Sequence, residues 1–303
     1  MSVERIPVAD RQQWLALRRQ DVTASDVAAA CGCSPFKTAL QLWAEKTGVD
    51  LGDEDSALMR RGRHLEDAVL NYYREENPGH MVTKPGLYLR DPAQRIGATP
   101  DAVVTTGIDD VVLQCKVVAK PVFDREWSDG PPLHYQLQVL TETMLWGAAR
   151  GMLAVLAIDA FGAEFQTFPV TRHPAAEDRI REAVVQFWVD VGEGRQPRAD
   201  YSRDAALLAL LNPPNEKSPP LDLAADNRMP ALLAEYETAK SAEKAARAEI
   251  EALRAEIIDK LGTASLATLP GWKVSHRMQE RKSYTVAAAT YPVLKITRLK
   301  ENA

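Results

Sequence analysis

ATPDAVVTTGIDDVVLQCKVV, residues 98–118, contains two short apolar runs divided by a turn, with polar side chains at the ends of both. Pro100 and Asp101 precede the first run, and Gln114, Cys115 and Lys116 close the second. Val-rich runs of this length, bounded by Gly, Asp and Thr, predict two neighbouring strands. Side chains alternate along a strand, so Gln114 and Lys116 share a face, and Asp101 begins the edge of the strand next to them. Hydrolysing a phosphodiester needs a metal that polarises the phosphoryl oxygen and activates a water, with a positive group beside the attack. Mg²⁺ favours oxygen ligands and commonly takes one or two carboxylates, with water and substrate oxygens completing an octahedron. Asp101 and Lys116 meet part of that need, and the backbone carbonyl of Cys115 is a further candidate ligand. Gln114 stands where a second carboxylate is expected.

Outward from this stretch the chain alternates between helical and strand-like patterns. Residues 11–48 predict two helices separated by the turn CGCSPF, and TASD, residues 23–26, has the capping-box pattern that places a helix start near Thr23. Residues 57–77 place Leu58, Leu65, Val69 and Tyr72 at helical spacing, with Glu66 beside that stripe. Short β-type runs fill residues 81–118. LHYQLQVLTETMLWGA, residues 133–148, returns to a helical pattern. GMLAVLAIDA and AEFQTFPV predict two more strands, followed by a helix at about 175–191. This order is a mixed α/β layer architecture, a central mixed sheet flanked by helices. The expected domains are a core over 1–210, a Pro-rich linker over 211–230, and a long amphipathic helix with a basic arm over 231–303. Leu232, Tyr236, Ile250, Leu253 and Ile257 share one stripe of that helix, which spans roughly 45 Å at about 1.5 Å per residue. It reads as a packing or self-association helix. The tail GWKVSHRMQERKSY is basic and is expected to form a β-hairpin arm.

Composition narrows the classes of function. The 303 residues are 46% hydrophobic, ample for a buried core, and no apolar run approaches the roughly 18 residues of a membrane span. The N-terminus lacks the apolar block of a signal peptide, so a cytoplasmic location is expected. Cys31, Cys33 and Cys115 form neither a paired framework nor a CxxC motif, and read as buried structural thiols. A net charge of −5 means that any nucleic-acid contact is local, because phosphate affinity comes from Lys and Arg. Basic residues do cluster at Arg18 and Arg19, at Arg60, Arg61, Arg63 and His64, and at Lys116 and Lys120.

PDAVV followed by LQCKV resembles the core signature of the PD-(D/E)xK nuclease superfamily. The wider chain resembles its lambda-type phage exonuclease branch, the YqaJ viral recombinase family. WLALRRQDVTASD (14–26), GRHLE (62–66) and HYQLQ (134–138) resemble further motifs of that branch, in the same order. Together with the core signature they cover about residues 10–160. The resemblance implies a PD-(D/E)xK core with two Mg²⁺ ions, replaceable by Mn²⁺. In that pattern Asp101 bridges the metals, Cys115 contributes its carbonyl, and Lys116 positions the nucleophile and stabilises charge. Glu66 assists a second metal or its water, Gln138 contacts the phosphate or a bound water, and Arg18 with Ser25 binds the DNA 5′-phosphate. A capped helix start near Thr23 would favour an anion at that last pair. Tyr135 is equally well read as core packing. The implied activity is 5′ to 3′ digestion of one strand of linear double-stranded DNA, leaving 3′ overhangs for strand annealing in phage-type recombination. The implied partners are that DNA, a single-strand annealing protein and further copies of the chain in a ring-shaped trimer.

Gln114 departs from the family pattern, which has glutamate there. Glutamine keeps the shape and one carbonyl oxygen but removes a negative charge and adds an NH₂ that cannot ligate. Asp110 lies on the same strand face, but four residues is roughly 13 Å of strand, too far for a replacement ligand. Glu142, one helical turn after Gln138, is the better candidate for a migrated carboxylate. The chain is then either a natural variant that tolerates a neutral ligand or one carrying a deliberate Glu-to-Gln exchange that keeps DNA binding and blocks turnover. The otherwise complete motif set favours the second. A non-catalytic DNA-end-binding protein and an endonuclease of the same superfamily are the competing readings.

Overall fold

The computed structural model describes residues 2–52, 56–107 and 109–280, with Ala288 and Ile296. The chain divides into two compact units, Met1–Asn212 and Pro213–Ala303. The first begins with β1 (Glu4–Pro7), α1 (Arg11–Gln20), β2 (Val22–Thr23), α2 (Val27–Ala30), α3 (Ala39–Lys46) and α4 (Ala57–Glu76). There follow β3 (Met81–Thr83), β4 (Leu87–Asp91), β5 (Ile96–Ala98), β6 (Ala102–Thr105) and β7 (Asp110–Ala119). The unit is completed by α5 (Lys120–Glu126), α6 (Leu133–Trp146), β8 (Arg150–Ile158), β9 (Ala163–Thr171), α7 (Pro174–Gly192) and α8 (Ala205–Leu211).

The central sheet has the order β3-β6-β7-β8-β9 and is mixed: β7 and β8 run parallel, and the other pairs are antiparallel. A parallel pair needs a long crossover, and α5 with α6 supplies it. Period-two alternation along β7 divides the core. Val111, Leu113 and Cys115 join Ala102, Val104, Ala154 and Leu156 beneath Val69, Leu70 and Tyr73 of α4. On the other face α6, α7 and the short N-terminal helices enclose the larger cluster, which includes Leu42, Trp43, Val139, Leu145, Leu153, Val155 and Ile180. Burying side chains of this size contributes about 1.5–3 kcal/mol each. A second sheet, β1-β4-β5-β2, carries the N-terminal elements, with β2 parallel to β5.

Three expectations are corrected here. Thr23 does not start a helix: Val22 and Thr23 pair with Ile96 and Gly97, and α2 begins only at Val27 and spans four residues. The Thr23 hydroxyl instead donates to Asp26 Oδ2 at 2.6 Å. A capping box does form at Thr38 and Gln41, where α3 starts. In α4 the buried face is Val69, Leu70 and Tyr73, whereas Leu58 is 68% exposed, because only the C-terminal half of the helix lies on the sheet. The cysteines also differ from expectation: all three are free thiols, but Cys33 is exposed and only Cys115 is buried.

The second unit contains α9 (Met229–Leu261) and the antiparallel hairpin of β10 (Leu266–Leu269) and β11 (Trp272–Ser275). Residues 212–228 hold no helix or strand. Ile250, Leu253 and Ile257 on the apolar stripe of α9 are each about half exposed. Residues 281–284, the end of the expected basic arm, lie outside the described residues. No helix among the described residues is long and apolar enough to cross a membrane.

Candidate active site

The β6–β7 register pairs Ala102 with Leu113, so Asp101, one residue before β6, continues it opposite Gln114. Asp101 Oδ2 accepts a hydrogen bond from the Cys115 backbone N–H at 2.8 Å, which anchors the carboxylate across the strand pair. Burial pushes the Asp101 carboxyl up to about 7; Lys116 draws it down, and Glu66 adds to the rise. Lys116, on the same face as Gln114, reaches α6: its Nζ donates to Gln138 Oε1 at 3.0 Å and lies 5.1 Å from the Tyr135 ring centre. Gln138 Nε2 in turn donates to Glu142 Oε1 at 2.9 Å. The structure therefore brings Asp101, just before β6, together with Gln114, Cys115 and Lys116 in the middle of β7 and with Tyr135, Gln138 and Glu142 along α6. Asp110 is engaged elsewhere, accepting from Thr105 Oγ1 and Trp146 Nε1.

Two oxygens in this group, Gln114 Oε1 and Glu142 Oε2, are buried and have no hydrogen-bond partner among the described residues. Gln114 is 5% exposed and Glu142 1%. Burial, followed by the charge of Asp101, holds the Glu142 carboxyl well above the usual carboxylate range. Among the described residues, no group of three or more His, Cys, Asp and Glu could hold a metal ion. A hard cation nevertheless fits the donor chemistry, since Mg²⁺ needs few carboxylates and accepts amide, carbonyl, water and substrate oxygens.

Glu66 comes from α4, close enough to raise the Asp101 carboxyl, and pairs with Lys84 at 2.8 Å. Lys84 also binds Asp67 at 2.8 Å, and its ammonium is held well above the usual lysine range by these partners. Arg18 and Ser25 meet as expected, with Arg18 Nη2 donating to Ser25 Oγ at 3.2 Å. Their setting is a charge cluster and not a helix start, because α2 is too short to present an N-terminal anion site. Asp26 is buried between Arg18 (3.6 Å), Lys37 (2.8 Å) and Lys46 (4.0 Å), and these cations hold its carboxyl well below the usual range despite burial. Glu45 pairs with Lys37 and Lys46, leaving three cations over two carboxylates. A cavity of about 610 Å³ lined by Arg18, Arg19, Lys46 and the 48–52 segment opens beside them.

Sequence reading gave no role to Trp14, Thr99 or Lys84. The Arg18 guanidinium lies 4.5 Å from the Trp14 ring centre, and Trp14 Nε1 donates to Thr99 Oγ1 at 3.0 Å, two residues before Asp101. This link ties the Arg18 cluster to the loop that leads into Asp101. The only sequence signal for it was the position of Trp14 within a motif.

Residues 13–148 match the YqaJ-like viral recombinase domain. A Bacillus subtilis (strain 168) relative, the uncharacterized protein YqaJ, is 30% identical over 223 residues, covering 72% of this chain and 68% of that protein. The crystal structure of an alkaline exonuclease (LHK-Exo) from Laribacter hongkongensis is similar in fold. The TM-score is 0.50 at 23% identity, over 65% of this chain and 100% of that one. The same values hold for LHK-Exo in complex with dAMP. Sequence relationship and shared fold agree, and the chain belongs to the YqaJ-like viral recombinase family.

Proposed function

We propose that the protein is a Mg²⁺-dependent deoxyribonuclease that digests one strand of linear double-stranded DNA from its 5′ end and leaves a 3′ overhang for strand annealing. The observation that carries this reading is the Asp101–Cys115–Lys116–Gln138 chain of contacts from the start of β6 across the middle of β7 to α6, with buried acceptor oxygens beside it. Bound Mg²⁺, with Mn²⁺ as substitute, supplies polarisation of the phosphoryl oxygen and a water of lowered pKa. Asp101, the Cys115 carbonyl and Gln114 hold that side of the site, and Glu66 serves a second ion or its water. Lys116, steadied by Gln138, places positive charge beside the attacking water and the phosphate. Arg18 and Ser25 receive the 5′-phosphate, and the Trp14–Thr99 bond fixes the distance from there to Asp101.

The neutral Gln114 slows turnover relative to a glutamate at that position. The family resemblance further supports a ring-shaped trimer and a single-strand annealing protein as partner. A ring reconciles net negative charge with DNA binding, because only its channel need be basic. The test is digestion of linear and closed circular duplex with Mg²⁺, by the chain and by Gln114→Glu. Loss of linear DNA alone supports the reading, and cleavage of circles points to an endonuclease. Binding of DNA ends with no digestion by either protein leaves the non-catalytic end binder.

A further inference from the structure

The helix α6 and the strand β7 run antiparallel, since β8, which follows α6, is parallel to β7. Two side-chain contacts pin them: Trp146 Nε1 to Asp110 Oδ2 at 3.1 Å, and Gln138 Oε1 to Lys116 Nζ at 3.0 Å. Between these pins the face of β7 toward α6 offers Val112 and Gln114. The Val112 position is taken, because its β8 partner Gly151 lies directly under Val139 and Thr143. Gln114 is left for Glu142, the residue midway between Gln138 and Trp146. From the Lys116 contact, four helix residues advance about 6 Å and two strand residues about 6.6 Å, so the two positions keep step.

The same two residues carry the unpartnered oxygens. Buried polar atoms without partners are rare in folded proteins, and two on facing elements call for a ligand both can bond. Both can act as acceptor oxygens, which suits a hard cation. Gln138 orients the pair: its NH₂ occupies Glu142 Oε1 and leaves Oε2 for the site, while its own oxygen holds Lys116. Outer partners of this kind fix the direction of ligating carboxylates.

We propose that Glu142 on α6 supplies the metal-binding carboxylate that Gln114 on β7 cannot, so that the site holds its cation between Asp101 and Glu142. This rests on the metal-dependent reading above and deepens it: the carboxylate has moved from the strand to the facing helix, and the chain as it stands is a competent metal binder.

The test is Mn²⁺ binding to the full chain without DNA, followed by the electron paramagnetic resonance signal of free Mn²⁺ and by calorimetry. Variants are Asp101→Asn, Glu142→Gln and the exchange Gln114→Glu with Glu142→Gln. Glu142→Gln is expected to weaken binding at least about tenfold, the scale of losing an outer-shell partner alone. The exchange is expected to return affinity to within about threefold of the parent, because it restores one carboxylate and one amide across the same gap. The exchange also covers a folding failure of Glu142→Gln, since it keeps the charge count of the parent. Unchanged affinity in Glu142→Gln, or no recovery in the exchange, overturns the proposal while Asp101→Asn still loses binding. Absence of Mn²⁺ binding by the parent, or full binding by Asp101→Asn, overturns the metal-dependent reading itself.

Discussion

Asp101→Asn is expected to stabilise the metal-free protein at alkaline pH while removing a proposed metal ligand. The Asp101 carboxyl is raised from 3.8 to about 7, chiefly by burial. In the unfolded chain it titrates near its ordinary value, so between about pH 4 and pH 7 the folded state holds a proton that the unfolded state has released. Folding stability from this group is therefore undiminished below about pH 4, falls as pH rises, and levels off above about pH 7. At about 1.4 kcal/mol per pKa unit the full cost is about 4 kcal/mol. Asp101 is only partly buried, so solvent screening reduces this to on the order of 2–3 kcal/mol. Asparagine keeps an oxygen for the Cys115 N–H and removes the charge. A unit of this size gains about 2–4 °C per kcal/mol, so the midpoint should rise by about 5–10 °C at pH 8 in EDTA. At pH 4 the two proteins should melt together. Differential scanning calorimetry at both pH values decides the matter. A midpoint for Asp101→Asn equal to or below the parent's at pH 8, or an offset that does not change with pH, refutes the reasoning.

Arg18→Ala should abolish a preference for 5′-phosphorylated over 5′-hydroxyl ends in linear duplex. Equal digestion of both ends by the parent removes the assigned role of Arg18. Gly151→Ala places a Cβ 2.3 Å from Thr143 Oγ1 and 2.4 Å from Val139 Cγ1, so the α6–β8 contact must open. A loss of about 1–3 kcal/mol is expected from denaturant unfolding, and no loss would mean that α6 does not sit this close to the sheet.

The strand pair and the placement of its polar side chains were readable because period-two alternation is local: Gln114 and Lys116 had to share a face, and the Asp101 edge followed from the turn between the runs. The helix carrying Gln138 was readable from its apolar spacing for the same reason. Thr23 misled because its capping pattern is also local, whereas the parallel pairing with Gly97 that holds it extended comes from residues more than seventy positions away. The apolar stripe of α4 was assigned along the whole helix, but which half meets the sheet is a matter of tertiary placement. The Trp14–Thr99 bond spans 85 residues and the Glu66–Lys84 pair joins α4 to the loop after β3, so neither leaves a spacing to detect. Glu142 was visible as a helical neighbour of Gln138. That its second oxygen is buried without a partner, as is Gln114 Oε1, required the packing of α6 on β7.

The proposed function requires metal-dependent removal of nucleotides from the 5′ end by the site around Asp101 and Lys116. Its most direct test is a linear duplex with 5′-phosphates and separately labelled ends on one strand, incubated with Mg²⁺ or EDTA and with the parent or Lys116→Ala. The account predicts early loss of the 5′ label with retention of the 3′ label, in Mg²⁺ only, and no loss with Lys116→Ala. An intact duplex with the parent and with Gln114→Glu in both Mg²⁺ and Mn²⁺, or undiminished digestion by Lys116→Ala, would contradict it.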